Sequence, residues 1–277
     1  MDGIRDSTTL QRGLDLMLAL GGQEAARAGG LGVTRLAEIT GEDKSQVSRT
    51  LKILAARGLA DRDPSTQAYQ LGWGVYGLAA RAGNQRLLAD APPLLRQLTG
   101  EFGERAYLSV LQGGQVLTVW TESPAAAVQA AGWVGHTVPA WCTSSGRVLL
   151  ADHDRTQLGE LLAGVDFVSE GRGAPADVDD LQRRIQAAAR TGYAVVDEEF
   201  EVGLVAAAAP VRAYHGRVVA AINVSGPKFR LGPRLGDAGP RTAQAAAELS
   251  AVLGGAREPG AGQLPRTRPA WPPPRAG

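Results

Sequence analysis

Residues 33–71 constrain this chain more than any other segment. Val33, Leu36, Ala37 and Ile39 mark a short helical stripe that stops near Gly41, and Val47, Leu51 and Leu54 recur at i, i+4 and i+7 on a second stripe that ends at Gly58. About four residues separate the two, which is the spacing of a helix-turn-helix. Asp43 with Gln46 three positions on forms a capping-box pattern at the start of the second stripe. Residues 59–62 and 68–71 read as short strands around Asp63-Pro64-Ser65-Thr66-Gln67, a turn sequence, so a hairpin trails the helix pair. Upstream, Leu10, Leu14, Met17 and Leu18 fall on one stripe of a first helix that Ser7 can cap and Gly21-Gly22 can end.

When the second stripe turns inward, Ser45, Gln46, Ser48, Arg49 and Lys52 remain on the opposite side. These side chains can reach base edges and phosphates in a major groove. The same helix also fits the surface of an ordinary three-helix bundle; the trailing hairpin, with Arg62 at its base, favours DNA. Net charge is only +1, so the distribution carries the argument: Lys44, Arg49, Lys52 and Arg57 fall in a stretch with no acidic residue.

At 277 residues the chain has room for two domains, one small and one larger. It is 44% apolar and 21% charged, and no apolar run approaches the roughly 18 residues that span a bilayer. The first nine residues are polar and charged and do not read as a secretory signal, which points to the cytoplasm. One cysteine, Cys142, excludes an intrachain disulfide framework, and three scattered histidines leave little for a Cys/His metal site. No cofactor or metal is expected. Beyond a helical connector at 73–85, the spacing predicts helices over 87–102, 144–151, 155–163, 178–191 and 237–253, with Pro92-Pro93 near the start of the first. Strands are expected at 106–111, 116–121, 193–197, 204–212 and 217–225. That mixed order fits an α+β sensor domain better than a regular βαβ enzyme fold. Residues 255–277 are rich in proline and arginine and are expected to be a disordered tail.

Several stretches resemble the IclR-type regulators. They are Arg12-Gly13-Leu14, Thr34-Arg35-Leu36-Ala37, Lys44-Ser45-Gln46-Val47-Ser48-Arg49, Tyr69-Gln70-Leu71-Gly72, Pro139 with Thr143 and Gly146-Arg147-Val148-Leu149-Leu150-Ala151, Asp197-Glu198-Glu199-Phe200-Glu201-Val202-Gly203, Ala208-Ala209-Pro210-Val211 and Val224-Ser225-Gly226-Pro227. The resemblance implies a winged helix-turn-helix over 1–72, a linker helix over 73–85 and a GAF-like effector-binding domain over 86–254. It further implies a dimer or dimer of dimers that catalyses no reaction. Independently of it, the sequence holds no G-x-S-x-G elbow, phosphate loop or metal-ligand spacing. Arg12 and Thr34 join Lys44, Ser45, Gln46, Ser48, Arg49, Lys52 and Arg62 as candidate contacts to operator DNA.

In the family the effector sits between the helix that begins near Thr143 and the strands, which implicates Thr143, Ser144 and Ser145. Thr143 or Ser144 can equally be a simple helix cap. Asn223 and Ser225, two apart on a strand, share a face and match polar pocket positions. Acid-binding members tend to carry Asp and Cys where this chain has Val196 and Ala206, so the floor has become apolar. Tyr107, Trp120, Trp133 and Trp141 fall in the segments expected to surround the cavity, in a chain that is only 5% aromatic. The effector expected is therefore an aromatic acid, or a neutral aromatic amide or hydrazide, rather than a very small dicarboxylate or 2-oxo acid. Glu198, Glu199 and Glu201 read as framework and surface. The resulting expectation is a ligand-responsive regulator that represses a neighbouring catabolic operon from a pseudo-palindromic operator. A small-molecule-binding or hydrolytic enzyme, with the winged helix as a dimerisation module, is the alternative.

Overall fold

The computed structural model describes residues 9–79, 85–124, 133–169 and 171–254. The expected tail at 255–277 and the Ser7 cap lie outside them. Contacts divide the chain into two compact units, the first running up to Gln85 and the second starting at Arg86.

The first unit contains α1 (Thr9–Leu20), α2 (Gln23–Ala28), α3 (Val33–Thr40), α4 (Lys44–Ala56), an antiparallel pair β1 (Ala60–Arg62) and β2 (Tyr69–Leu71), and α5 (Trp73–Ala79). Its core is small: Leu16, Leu20, Leu31, Leu36, Val47, Leu51, Leu54 and Tyr69 supply most of it. Of the stripe expected to face that core on α1, only Met17 packs against it. Leu16 and Leu20 are buried, whereas Leu10, Leu14 and Leu18 are 73%, 50% and 73% exposed. Both sets repeat every four residues, so helical period alone does not say which one faces inward. The turn expected between α3 and α4, at about four residues, is three residues long, Gly41 to Asp43, with Gly41 in the left-handed conformation (φ 70°) that closes α3. Asp43 caps α4 by accepting from the Ser45 backbone N–H at 2.8 Å rather than through a reciprocal box with Gln46. The short α2 was not anticipated; its first residues follow directly on Gly21-Gly22, the glycines expected to end α1.

The second unit is built on one six-stranded antiparallel sheet. In chain order its elements are α6 (Gln85–Phe102), β3 (Arg105–Gln112), β4 (Gln115–Glu122), β5 (Thr137–Pro139), α7 (Ser144–Leu149), α8 (Arg155–Leu161), α9 (Val178–Thr191), β6 (Ala194–Asp197), β7 (Leu204–Arg212), β8 (Val218–Pro227), α10 (Lys228–Leu231) and α11 (Leu235–Gly254). The strand order is β5-β4-β3-β8-β7-β6. Alternation of side chains gives the sheet two different faces. Ala106, Leu108, Ala207, Ala209, Val211, Ala220, Ile222 and Val224 pack against Leu95, Leu98 and Phe102 of α6 and Ala245, Leu249 and Leu253 of α11. The opposite face presents Ala194, Ala208 and Ala221 to Val148 and Leu149 of α7.

Those three alanines let α7 come close, and Gly146 extends the same economy. A Cβ on it would collide with the backbone of Ala140, so glycine is required where the helix crosses the turn that feeds it. Pro92 and Pro93 lie inside α6 rather than near its start, because the helix begins at Gln85. The strand β5 and the short α10 were not expected from the sequence.

Candidate functional sites: an exposed helix face and a cavity

On α4, Val47, Leu51 and Leu54 are buried while Lys44, Ser45, Gln46, Arg49 and Lys52 are exposed and Ser48 is half-buried. The hairpin that follows is held at its turn by Asp63. Its carboxylate accepts from the Ser65 hydroxyl at 2.6 Å and from the Ser65 and Thr66 backbone N–H groups at 2.8 and 2.7 Å. These bonds, led by the Ser65 hydroxyl, lower the Asp63 pKa to about 2. Arg62 lies over the Tyr69 ring, 5.5 Å from its centroid. Thr34 is exposed on α3. Arg12 is engaged inside the unit, its Nε 3.1 Å from Glu42 Oε1, so it ties α1 to the turn before α4.

In the second unit, a cavity of about 720 Å³ opens on the face of the sheet that α7 partly covers. Strand register orders its floor. Arg105, Ser225, Ala206 and Val196 pair in sequence across β3, β8, β7 and β6 on one rung. Tyr107 and Asn223 occupy the next rung, and Ser109 the one after, opposite Thr118 of β4. Thr143, Ser144 and Ser145 form one wall, Trp133 and Val138 another, and Phe200, Glu201 and Leu204 a third. Ser109, Thr118, Ser144, Ser145 and Asn223 are all buried and polar. Tyr107 and Trp133 meet edge to face, with centroids 6.3 Å apart. Glu104 and Arg230 close one end as a bidentate pair at 2.5 and 2.9 Å, and the Glu104 carboxylate lies against Gly226, where a Cβ would displace it.

A buried ion pair braces two of these walls. Arg147, two residues beyond Ser145, donates to Glu199 Oε2 at 2.5 Å and to the Val195 carbonyl at 3.1 Å, while Glu199 precedes Phe200 directly. Glu199 is shared with Arg184 of α9 at 3.0 Å. Cys142 is buried, and that burial first of all raises its thiol pKa to about 11, which removes it as a nucleophile near neutral pH. Among the described residues no group of three or more His, Cys, Asp or Glu is placed to hold a metal, and no helix is long and apolar enough to cross a membrane.

Two family models match the chain: the IclR helix-turn-helix domain over residues 9–64 and the bacterial transcriptional regulator IclR C-terminal domain over residues 79–251. This chain belongs to the IclR family. Its relatives include the Pca regulon regulatory protein of Pseudomonas putida, 33% identical over 79% of this chain and 74% of that protein. The HTH-type transcriptional regulator BhcR of Paracoccus denitrificans is 32% identical over 95% of this chain and 89% of its own. Among solved structures, an IclR homologue from Microbacterium hydrocarbonoxydans complexed with 4-hydroxybenzoate has the same fold. It superposes with a TM-score of 0.75 at 22% identity, covering 88% of this chain and 100% of that one. The family is one of DNA-binding transcriptional regulators rather than enzymes, and it sets aside the hydrolytic alternative.

Within this IclR regulator, nine of the residues expected around the effector line the one cavity: Tyr107, Trp133, Thr143, Ser144, Ser145, Val196, Ala206, Asn223 and Ser225. Thr143 also caps α7, accepting from the Gly146 backbone N–H at 3.2 Å, so the two readings of that residue coexist. Two expected residues do not line it. A bulge in β4 shifts the register between Leu108↔Trp120 and Ser109↔Thr118, so Trp120 shares a face with Leu108, away from the cavity. Its indole N–H donates to Glu122 Oε1 at 3.1 Å instead. Trp141 is buried in the turn before α7 and packs on Phe167, centroids 5.0 Å apart. Glu199 is framework, as expected, but Glu201 lines the cavity. The sequence reading also missed Glu104, Arg105, Ser109, Thr118, Phe200 and Arg230. Period-2 alternation on β3 from Tyr107 would have found Arg105 and Ser109; nothing local marks Arg230.

Proposed function

We propose that this regulator reads a pseudo-palindromic operator with α4 and its hairpin, acts in the cytoplasm as a dimer or dimer of dimers, and represses a neighbouring catabolic operon until a monocyclic aromatic acid or amide fills the cavity. The observation that carries the effector class is the composition of the lining. An edge-to-face Tyr107–Trp133 pair and the apolar Val196, Ala206 and Leu204 offer a ring a surface, while five buried polar side chains offer its substituents hydrogen bonds. A ring that removes about 100 Å² of apolar surface from water contributes on the order of 2.5 kcal/mol. The charges on the lining, Arg105 and Arg230 against Glu104 and Glu201, balance, which disfavours a dianion. The bound 4-hydroxybenzoate of the Microbacterium homologue is consistent with this class.

For DNA, the exposed Lys44, Ser45, Gln46, Arg49 and Lys52, with Ser48, Thr34 and Arg62 nearby in sequence order, supply base-reading and phosphate-binding groups. Arg12 acts through Glu42 in this arrangement. The exposed stripe Leu10, Leu14 and Leu18 supports self-association, because it leaves a row of apolar side chains along α1 in water. Calorimetric titration of the full chain with benzoate, 4-hydroxybenzoate and benzamide, followed by mobility shift on the DNA upstream of the flanking genes, tests the proposal. Tight binding of a two- or three-carbon acid with no response to any ring would overturn the effector class.

A further inference from the structure

The family motifs single out α7, β6, β7 and β8, and leave the β3–β4 end of the cavity without a role. Ser109 and Thr118 are direct cross-strand partners there, so their side chains share the cavity face with Cβ atoms roughly 5 Å apart. Both are more than nine-tenths buried, at 2% and 7% exposure, and both line the cavity. Among the described residues, no side-chain hydrogen bond joins either hydroxyl to another residue. Thr118 is held firmly: its N–H donates to the His136 carbonyl at 3.0 Å and its carbonyl accepts from the Gly135 N–H at 2.8 Å. The bulge begins at the next residue, which turns Trp120 away and leaves this end to the two hydroxyls.

We infer that the Ser109–Thr118 pair is a specificity subsite for a hydroxyl substituent on the effector, which deepens the proposed reading of the cavity and rests on it. Each protein hydroxyl has one proton to donate and lone pairs to accept, and a phenolic hydroxyl offers the same. One such group placed between them completes bonds for both. A halogen or methyl leaves two buried hydroxyls desolvated without partners, which sites of this kind penalise strongly. A carboxylate gains little, since the neighbouring lining residues Val116 and Val138 carry no charge. Arg105 lies four residues back along β3, about 13 Å at the rise of a strand. The subsite therefore selects a ring hydroxyl and discriminates against its apolar isosteres.

Calorimetry on the full chain with 4-hydroxybenzoate and 4-fluorobenzoate provides the test, alongside the double variant Ser109→Ala/Thr118→Val with its melting temperature monitored. Wild type is expected to prefer the hydroxyl by about tenfold or more, and the folded double variant to lose that preference while binding 4-fluorobenzoate at least as well. A preference that survives in the double variant, or a wild type that binds both probes equally, overturns the subsite. If neither ring binds, the aromatic reading of the effector fails separately. The same pair of proteins is then compared on butyrate and 4-hydroxybutyrate, where a hydroxyl preference erased by the double variant sustains the subsite. A wild type with no such preference overturns it.

Discussion

The candidate DNA-reading face lies on a helix of 13 consecutive residues, Lys44 to Ala56, whereas the cavity takes its lining from β3, β4, β5, the turn before α7, α7 itself, β6, β7, β8 and α10. On α4 a single periodicity both buries Val47, Leu51 and Leu54 and exposes the polar side. In the second unit each strand contributes between one and four lining residues, and only the sheet order brings them together. A local surface tolerates the loss of one side chain without structural consequence. A surface assembled from distant segments depends on the braces between them.

That contrast is most sharply broken at the Arg147–Glu199 brace. Glu199→Leu is expected to lower the stability of the second unit by about 3 kcal/mol, because Arg147 is left buried without its carboxylate. Arg147→Met/Glu199→Leu together should recover most of the loss. Differential scanning calorimetry of both variants checks this, and a double variant no more stable than Glu199→Leu would show that the pair is not what binds the walls.

Next in size are the changes on α4. Arg49→Ala and Lys52→Ala are each expected to weaken operator binding about tenfold, with melting temperatures close to wild type, since both side chains are exposed. A phosphate contact should also reduce the salt slope by roughly 0.9 per residue. Wild-type mobility shifts from both variants would remove α4 as the reading helix.

The tryptophans sharpen the comparison inside the second unit. Trp133→Ala should reduce affinity for an aromatic ligand several-fold, whereas Trp120→Ala should leave it unchanged, because the bulge in β4 places Trp120 on the other face. Equal losses in a calorimetric titration would mean that the bulge is not present in solution.

The smallest effect expected is on the hairpin. Asp63 has a folded pKa of about 2 against an ordinary value of 3.8, so its contribution is complete above about 3.8 and disappears as pH falls toward about 2. The group is exposed, and the change should be confined to the turn. Carboxyl and amide NMR signals of Asp63, Ser65 and Thr66 would follow it, and Asp63→Asn should abolish the transition.

Much of the element order was legible because the signals were local: the Gly41 stop, the stripe on α4 and the strand-like runs of β3, β7 and β8 each depend on neighbours in sequence. Seven of the nine expected residues that line the cavity lie in or beside the family motifs, on strands and at the start of α7, while Tyr107 and Trp133 were expected from their aromatic character alone. The sequence by itself determined the helix pair, the hairpin, the polar face of α4 and the family. Tertiary structure alone decided which of two equally periodic leucine stripes on α1 is buried, because that depends on where α3 and α4 lie and not on the helix. It also decided the fate of Trp120, where a single extra residue reverses the face of everything beyond it. The pairing of Arg147 with Glu199, and of Glu104 with Arg230, was out of reach as well, because it joins residues 52 and 126 positions apart. Over such separations periodicity carries no information, and partners are chosen by sheet order and packing.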